Sequence, residues 1–535
     1  MIICITLSMQ VIIPLGKCTS FAEPITLPLA PSAFALALAS ARLPLLGWLR
    51  DGVKAAQINR HPWSRRRVTA VMAMAAPMRL ATFVAGARYE DLPAEIVEKA
   101  KRHILDTLGA GLAGATSEEA KRTLAALLAS DGAGPTVVWG TESKLSPRNA
   151  ALINGTAAHA FELDDTGGCD HSGAVVLPAA LAALDIARRP VSGTEFTLAI
   201  VLGYDVARRV LDAFGGYPAH NEPGWHSTGT CGTFGAAAAA ARILGLDADR
   251  AAGAISTAAS FSSGLWAFIH DGAMTKRLHA GRAAEGGLLA AQLAAADVSG
   301  PRRVFDDVWG GFFKTFGRRP PVPEALLEDL GRDWRIRLAA IKPYASCRDT
   351  HAAVDAVRRI LARRALQPEE IAAVRVRANA FLHGMVGGRD CATLPAAQMS
   401  LPYAVATQIV FRANGLLAYT EGRRRDSKLL GMIERIHVVI DPTVVSSAKS
   451  SVTFQLTDGS TIDEPTAIPL GAPENPVDDK TLMIKFEELA GLVARTEDCT
   501  ELAAAVLDLN GRKDARSLLP LLRGSRHGAA TLGSQ

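Results

Sequence analysis

Aromatic residues are scarce, at 6% of a 535-residue chain. That argues against a β-sandwich or barrel, whose strands favour rings and β-branched side chains. Cysteine is sparse too: Cys4, Cys18, Cys169, Cys231, Cys347, Cys391 and Cys499 are widely spread, odd in number and never set as CxxC. This speaks against a disulfide framework and for free thiols in a reducing compartment, so the expected location is cytoplasmic. The first apolar run, residues 1–16, contains Pro14 and falls short of the roughly 20 residues a membrane-spanning helix needs, so no membrane partner is expected. Nucleotide signatures are missing as well. No GxxxxGK[ST] loop occurs, and Gly109-Ala-Gly111-Leu-Ala-Gly114 spells GxGxxG at the end of a helical pattern, where a dinucleotide fold would need it between strand and helix. Helix termination and close packing explain these glycines.

A global excess of positive charge is also lacking in the body of the chain. Residues 1–71 hold eight basic residues, among them Arg65, Arg66 and Arg67, against Glu23 and Asp51, which accounts for the whole net charge of +5. No nucleic-acid partner is therefore expected. The basic, acid-poor leader over 1–77 reads as an unstructured start-site extension or a transit peptide, with Met72, Met74 and Met78 as candidate starts.

What is abundant is alanine and leucine, within an apolar content of 49%. The expected fold is mainly α: a large all-helical domain over 78–325 plus a smaller α+β lid domain over 326–475. A C-terminal helix is expected over 476–510, and 511–535 is a disordered tail. Leu92-Pro93 opens a helix with Ile96, Val97, Ala100, Ile104, Leu105 and Leu108 at a 3.6-residue period. Ser146-Pro147 starts another, expected to run to about Leu163. Helices are also expected over Thr233–Leu244 and from Asp247 to Ala259. Beyond residue 330, Val374/Val376, Ile436/Val438/Ile440 and Val452/Phe454/Leu456 alternate as strands do, and Asp458-Gly459 turns the last of these into Thr461-Ile462. Gly310–Pro323 is the expected crossing between domains.

The densest ionisable cluster is His159-Ala-Phe-Glu162-Leu-Asp164-Asp165-Thr166-Gly-Gly-Cys169-Asp170-His171, set against an apolar run from Ala174 to Ala187. Charges hemmed in by core must be paired or used. Continuation of the preceding helix would put His159, Glu162 and Asp165 on one face. Asp164, Asp165 and Asp170 imitate the DDxxxxD magnesium motif of helical prenyl-diphosphate enzymes, but the second motif those enzymes need is met only by Asp306-Asp307, followed by Val-Trp-Gly-Gly. Metal binding by His159, Glu162, Asp165 and His171 has suitable donors without a recognised ligand spacing. Three later segments offer what an anion site needs: the turn around His226 and Thr228 before an alanine helix, Lys276 with His279 and Arg282, and Lys342 with Arg348 before a helix at Ala352.

Taken with Leu80-Ala-Thr-Phe-Val, Arg88-Tyr89-Glu-Asp-Leu-Pro93, Asn154-Gly155-Thr-Ala-Ala-His159, Lys342-Pro-Tyr-Ala-Ser-Cys347 and Asn475-Pro476, these segments make the chain resemble the MmgE/PrpD family over residues 78–505. That family includes 2-methylcitrate dehydratase, cis-aconitate decarboxylase and iminodisuccinate epimerase. The resemblance implies that the helix over 476–510 returns to the helical domain. It also implies a homodimer, no metal and no cofactor, and a small di- or tricarboxylic acid as substrate. It implies Glu162, Thr166, His171, His226, Lys276 and Tyr403 as catalytic residues and Lys342 as a substrate-binding one, while the basic segments themselves add His279, Arg282 and Arg348 as expected substrate-binding residues. The expected roles are anion binding by Lys276, Lys342 and Arg282, acid–base work by His171 and His226, orientation of a histidine by Glu162 and a proton or hydrogen bond from Tyr403.

Many relatives carry a histidine where this chain has Gly167 and a proline where it has Ser172, and the loop is shortened here. Family frequency ranks a dehydratase first, with an iminodisuccinate-type epimerase or cis-aconitate-type decarboxylase as the alternatives. A non-catalytic helical binding protein is the reading from a different class.

Overall fold

The computed structural model describes residues 75–525; the expected basic leader lies outside these as far as residue 74, as does the tail beyond 525. Within them helices dominate. We number α1 (Ala76–Gly86), α2 (Ala94–Gly114), α3 (Pro147–Ala158), α4 (Gly173–Ile186), α5 (Gly193–Ala213), α6 (Gly232–Ile243), α7 (Ala248–Phe261) and α8 (Thr275–Ala295), all of which contribute to one apolar core. Their starts are locally encoded. Ser192 and Asp247 accept the backbone N–H groups of Glu195 and Arg250 at the heads of α5 and α7. Ser146 makes no such bond, and Pro147, with its preset φ, begins α3 alone.

The wealth of small residues has a geometric use, because these helices approach backbone to backbone. A Cβ at Gly155 of α3 would stand 2.8 Å from Gly281 Cα of α8, and one at Gly203 of α5 would stand 3.0 Å from the Gly235 carbonyl of α6. The glycines of the GxGxxG segment act likewise: Gly109 faces Phe486, Gly111 faces Trp139, and Gly114 abuts the backbone of Ala157. They form a packing surface on α2.

A second apolar cluster surrounds a four-stranded sheet made of β1 (Ile371–Ala378), β2 (Ile436–Ile440), β3 (Ser451–Leu456) and β4 (Thr461–Pro465), in the order β2-β1-β3-β4. The β1–β2 pair is parallel and the others antiparallel. Val374, Val376, Ile436, Val452, Phe454 and Leu456 bury one face with Val357 and Ile360 of the helix His351–Arg363. Gly459, at φ 85°, supplies the left-handed turn between β3 and β4. All four strands lie where alternation predicts them.

Three expectations need correction. The helix from Ser146 ends at Ala158 instead of near Leu163, because Ala160, Phe161 and Leu163 turn away into the sheet-side core. The segment 476–510 forms two helices, Asp479–Ala490 and Thr496–Leu507. The tail is ordered over Ala515–Leu522, where a 3-10 helix buries Leu518, Leu519 and Leu522. Arg516 there donates to the carbonyls of Leu184 and Ala187 at the end of α4, so this basic residue is a helix cap. Among the described residues no helix is long and apolar enough to cross a membrane.

Candidate active site

The ionisable segment becomes a folded loop lying between the two cores. Its apolar members Phe161 and Leu163 enter the sheet-side cluster, which leaves Glu162 and Asp164 to face elsewhere. Glu162 adopts φ 53° and Asp170 φ 115°, conformations that L residues rarely hold and that a surrounding structure must enforce. Gln398 Nε2 donates to the Phe161 carbonyl at 2.6 Å, and Lys485 Nζ to that of Leu163 at 2.6 Å. The helical face expected to align His159, Glu162 and Asp165 does not exist, because α3 has already ended.

The neighbours Asp164 and Asp165 serve different ends. Asp165 caps α4 by accepting the Gly173 N–H at 2.9 Å and takes the Tyr204 hydroxyl at 2.7 Å, with His103 Nδ1 3.3 Å away. It anchors the loop. Asp164 accepts from His159 Nδ1 at 2.9 Å and lies 3.1 Å from His171 Nδ1, which also contacts the Asp165 carbonyl at 2.8 Å. Since both neighbours of His171 Nδ1 are acceptors, that nitrogen carries a hydrogen.

Glu162 is the electrostatic hub. Its carboxylate receives Lys276 and Arg277, from the first turn of α8, and Lys342 Nζ at 3.1 Å. Lys342 arrives on a segment that Thr166 and Ala340 tie to the loop through a pair of backbone hydrogen bonds. All these charges are buried, with 0% exposure for the Lys342 side chain and 1% for Glu162. Burial would push the Glu162 carboxyl up, but Lys276, Lys342 and Arg277 outweigh it and hold the group well below the usual carboxylate range. Burial likewise opposes the charge on Lys342, and Glu162 with Asp164 raises its pKa nonetheless.

The histidines diverge. Burial lowers His159 well below its ordinary value and outweighs Asp164. His226 is lowered chiefly by burial, against the pull of Asp170. His279, whose Nδ1 lies 3.1 Å from His226 Nδ1, falls to about 3, through burial and then the charges of His226 and Lys276. His171 alone of these four moves up: burial opposes it, but Asp170 and Asp164 prevail. Of these four rings His171 is therefore the one whose protonated form its neighbours favour.

The structure brings Glu162, His171, His226, Lys276, His279 and Lys342 together. Thr166 lends its hydroxyl to Asp170 at 3.1 Å. Three expected residues are engaged elsewhere. The Tyr403 hydroxyl donates to the Ala418 carbonyl at 2.8 Å within the sheet-side core. Arg282, half-exposed, pairs with Glu285 one turn along α8. Arg348 donates to the carbonyls of Leu470 and Pro469 at 2.8 and 3.2 Å, binding chain segments together. The turn before α6 is buried rather than an exposed helix end, with Ser227, Thr228 and Thr230 at 0% exposure. Arg277 was not assigned, though it sits beside Lys276 in the same basic segment. Asp164 and Asp170 lie in the loop that was singled out, and only their contacts reveal what they do. A cavity of about 360 Å³ reaches Lys276 and Arg277, with Phe268, Asp271, Thr393 and Met399 in its lining.

Comparison with known proteins finds two family domains that together cover most of the chain. The MmgE/PrpD N-terminal domain matches residues 78–324 and the MmgE/PrpD C-terminal domain residues 344–510. Similar proteins include a cis-aconitate decarboxylase-like protein of Aspergillus oryzae, 29% identical over 83% of this chain and 96% of its own. The cis-aconitate decarboxylase of Aspergillus terreus is 30% identical over 81% of this chain and 93% of its own. The human cis-aconitate decarboxylase is 26% identical over 83% and 94%.

Proposed function

Because the chain belongs to the MmgE/PrpD family of lyase-type enzymes, we propose that it is a cofactor-independent decarboxylase of a small unsaturated tricarboxylic acid of the cis-aconitate type. The observation that carries this reading is the convergence of Lys276, Arg277 and Lys342 on one buried carboxylate, with the raised His171 alongside. Three cations sharing Glu162 form a site for further carboxylates, dry enough for each contact to count. The dehydratase ranking rested on family frequency, and the relatives compared carry decarboxylase names instead.

In the proposed reaction the bond between one carboxylate carbon and its methylene breaks, and CO2 leaves. The electron pair passes into the adjoining double bond, so that carbanion character develops at the far carbon of the allylic system beside a second carboxylate. Lys276, Arg277 and Lys342 stabilise the charge that collects on that carboxylate. His171 delivers the proton that forms the new C–H bond and recovers it from water. Asp164 and Asp170 favour the protonated form of His171 for this step, and His226 stands on the other side of Asp170. The sheet-bearing part is proposed to act as the lid of the cleft. A homodimer is proposed as well, to be checked by light scattering.

Proton NMR in D2O with cis-aconitate, 2-methylcitrate and iminodisuccinate tests the activity. Loss of CO2 with one deuteron retained in the product supports the reading. Water loss from 2-methylcitrate would replace it with the dehydratase, α-deuteration with racemisation would replace it with the epimerase, and inertness toward all three acids would overturn it.

A further inference from the structure

Three histidines in the loop and its surroundings form a group whose geometry exceeds what acid–base chemistry requires. One nitrogen from each of His159, His171 and His226 lies within 4.8 Å of the others, and all three residues are buried. Each ring has its Nδ1 engaged: His159 with Asp164 at 2.9 Å, His171 with the Asp165 carbonyl at 2.8 Å, and His226 with His279 at 3.1 Å. The opposite nitrogens are left over. Buried Nε2 of His159 and of His226 has no hydrogen-bond partner. A buried polar atom without a partner is uncommon and calls for an explanation.

Asp170 adds a fourth donor. Its Oδ2 stands 3.6 Å from His171 Nε2 and 3.6 Å from His226 Nε2. That is too long for a hydrogen bond, yet close to the separation of about 3.4 Å that two ligands keep across a tetrahedral ion with bonds near 2.0–2.1 Å. The residue reaches this place in a left-handed backbone conformation, at φ 115°. For His159 and His171, an Nδ1 held by a carboxylate or a carbonyl leaves Nε2 free to ligate, the outer-shell pattern that supports metal ligands. Neutral imidazoles with one carboxylate suit a borderline divalent first-row ion better than magnesium or calcium.

We propose that His159, His171, His226 and Asp170 form a binding site for a divalent first-row transition ion, Zn2+ above all, and that its occupancy blocks turnover by tying up the acid–base histidines. The binding site stands on the geometry alone. The block rests on the functional reading given above.

The test is titration of the full chain, cleared of metal by a chelator that is then removed, with Zn2+ in competition with a chromophoric chelator. One ion per chain is expected, with affinity at least tenfold weaker in His159→Asn, His226→Asn and Asp170→Asn, and unchanged in His437→Asn, whose ring is exposed. No stoichiometric ion, or equal affinity in all four variants, overturns the site. Since substitution in a buried cluster can unfold the chain, Co2+ bound to the unmodified protein gives a second readout. An intense visible spectrum of tetrahedral type supports the site, and the weak spectrum of a six-coordinate ion overturns it. Decarboxylation measured in the presence of chelator separates the two readings. Turnover without any metal binding sinks this inference alone, and metal binding without turnover of any acid sinks the functional reading while the site stands. Turnover that persists in the zinc-loaded enzyme overturns the proposed block.

Discussion

Glu162→Gln isolates the charge at the centre of the site while keeping its size and one carbonyl acceptor. In the parent chain the carboxylate neutralises part of three buried cations, with 1% of its side chain exposed. Removing one partner of a buried ion pair typically costs about 3–5 kcal/mol, because the remaining charge stays dry and uncompensated. A loss of that size is expected in urea unfolding in a buffer free of polyanions. The sign with pH follows from the depressed pKa of Glu162. Its contribution is fully present above the unfolded carboxyl value near 4.3, and fades as pH falls through the lower folded value. The gap between parent and variant should therefore close only in strong acid. A di- or tricarboxylate that takes the vacated place should restore the variant, by about 2.7 kcal/mol at one hundred times its dissociation constant. If Glu162→Gln unfolds within about 1 kcal/mol of the parent at neutral pH, below the range for a broken buried pair, the three cations are not held by this carboxylate.

The raised pKa of His171 predicts a rate that falls as pH increases through it, and Asp170→Asn should move that limb to lower pH in a kcat/KM profile; an unmoved limb would show that another group titrates. Gly114→Ala forces a Cβ into the backbone of Ala157, and overpacking of this kind costs about 1–3 kcal/mol or more, so a clearly lowered midpoint in urea is expected. Arg282→Ala should leave KM for the active acid within about twofold, below 0.5 kcal/mol, since the guanidinium serves Glu285. A rise of tenfold or more would restore Arg282 to the substrate site.

The elements built on local pattern were readable. The four strands and the helix starts at Leu92-Pro93 and Asp247 all appear, because alternation, proline and carboxylate caps act within a few residues. Regions ruled by distant partners were not readable. Nothing local marks the end of α3 at Ala158; it follows from burial of Phe161 and Leu163 in a core most of whose other members lie between Ala345 and Leu489. The same cause hid the ordered tail, since Leu518 and Leu522 in a basic stretch look like a frayed end until the apolar surface that receives them is known. At the candidate site, residue types and clustering singled out the loop and both lysines, which the structure brings together at Glu162. Arg282 and Tyr403 stand apart from that cluster, because spacing along a helix does not say which side meets the cavity and which meets a neighbouring carboxylate or carbonyl.

The supports of the loop also set an order in time. Lys342 reaches Glu162 across 180 residues, and Lys485 reaches the Leu163 carbonyl across 322. A ribosome releases the loop long before either lysine exists, so the nascent helical part carries an unfinished pocket with Glu162 short of one of its cations. Chemistry on a reactive acid cannot begin in a half-made chain, and a truncated product lacking residue 485 should be inert even where its helices have formed.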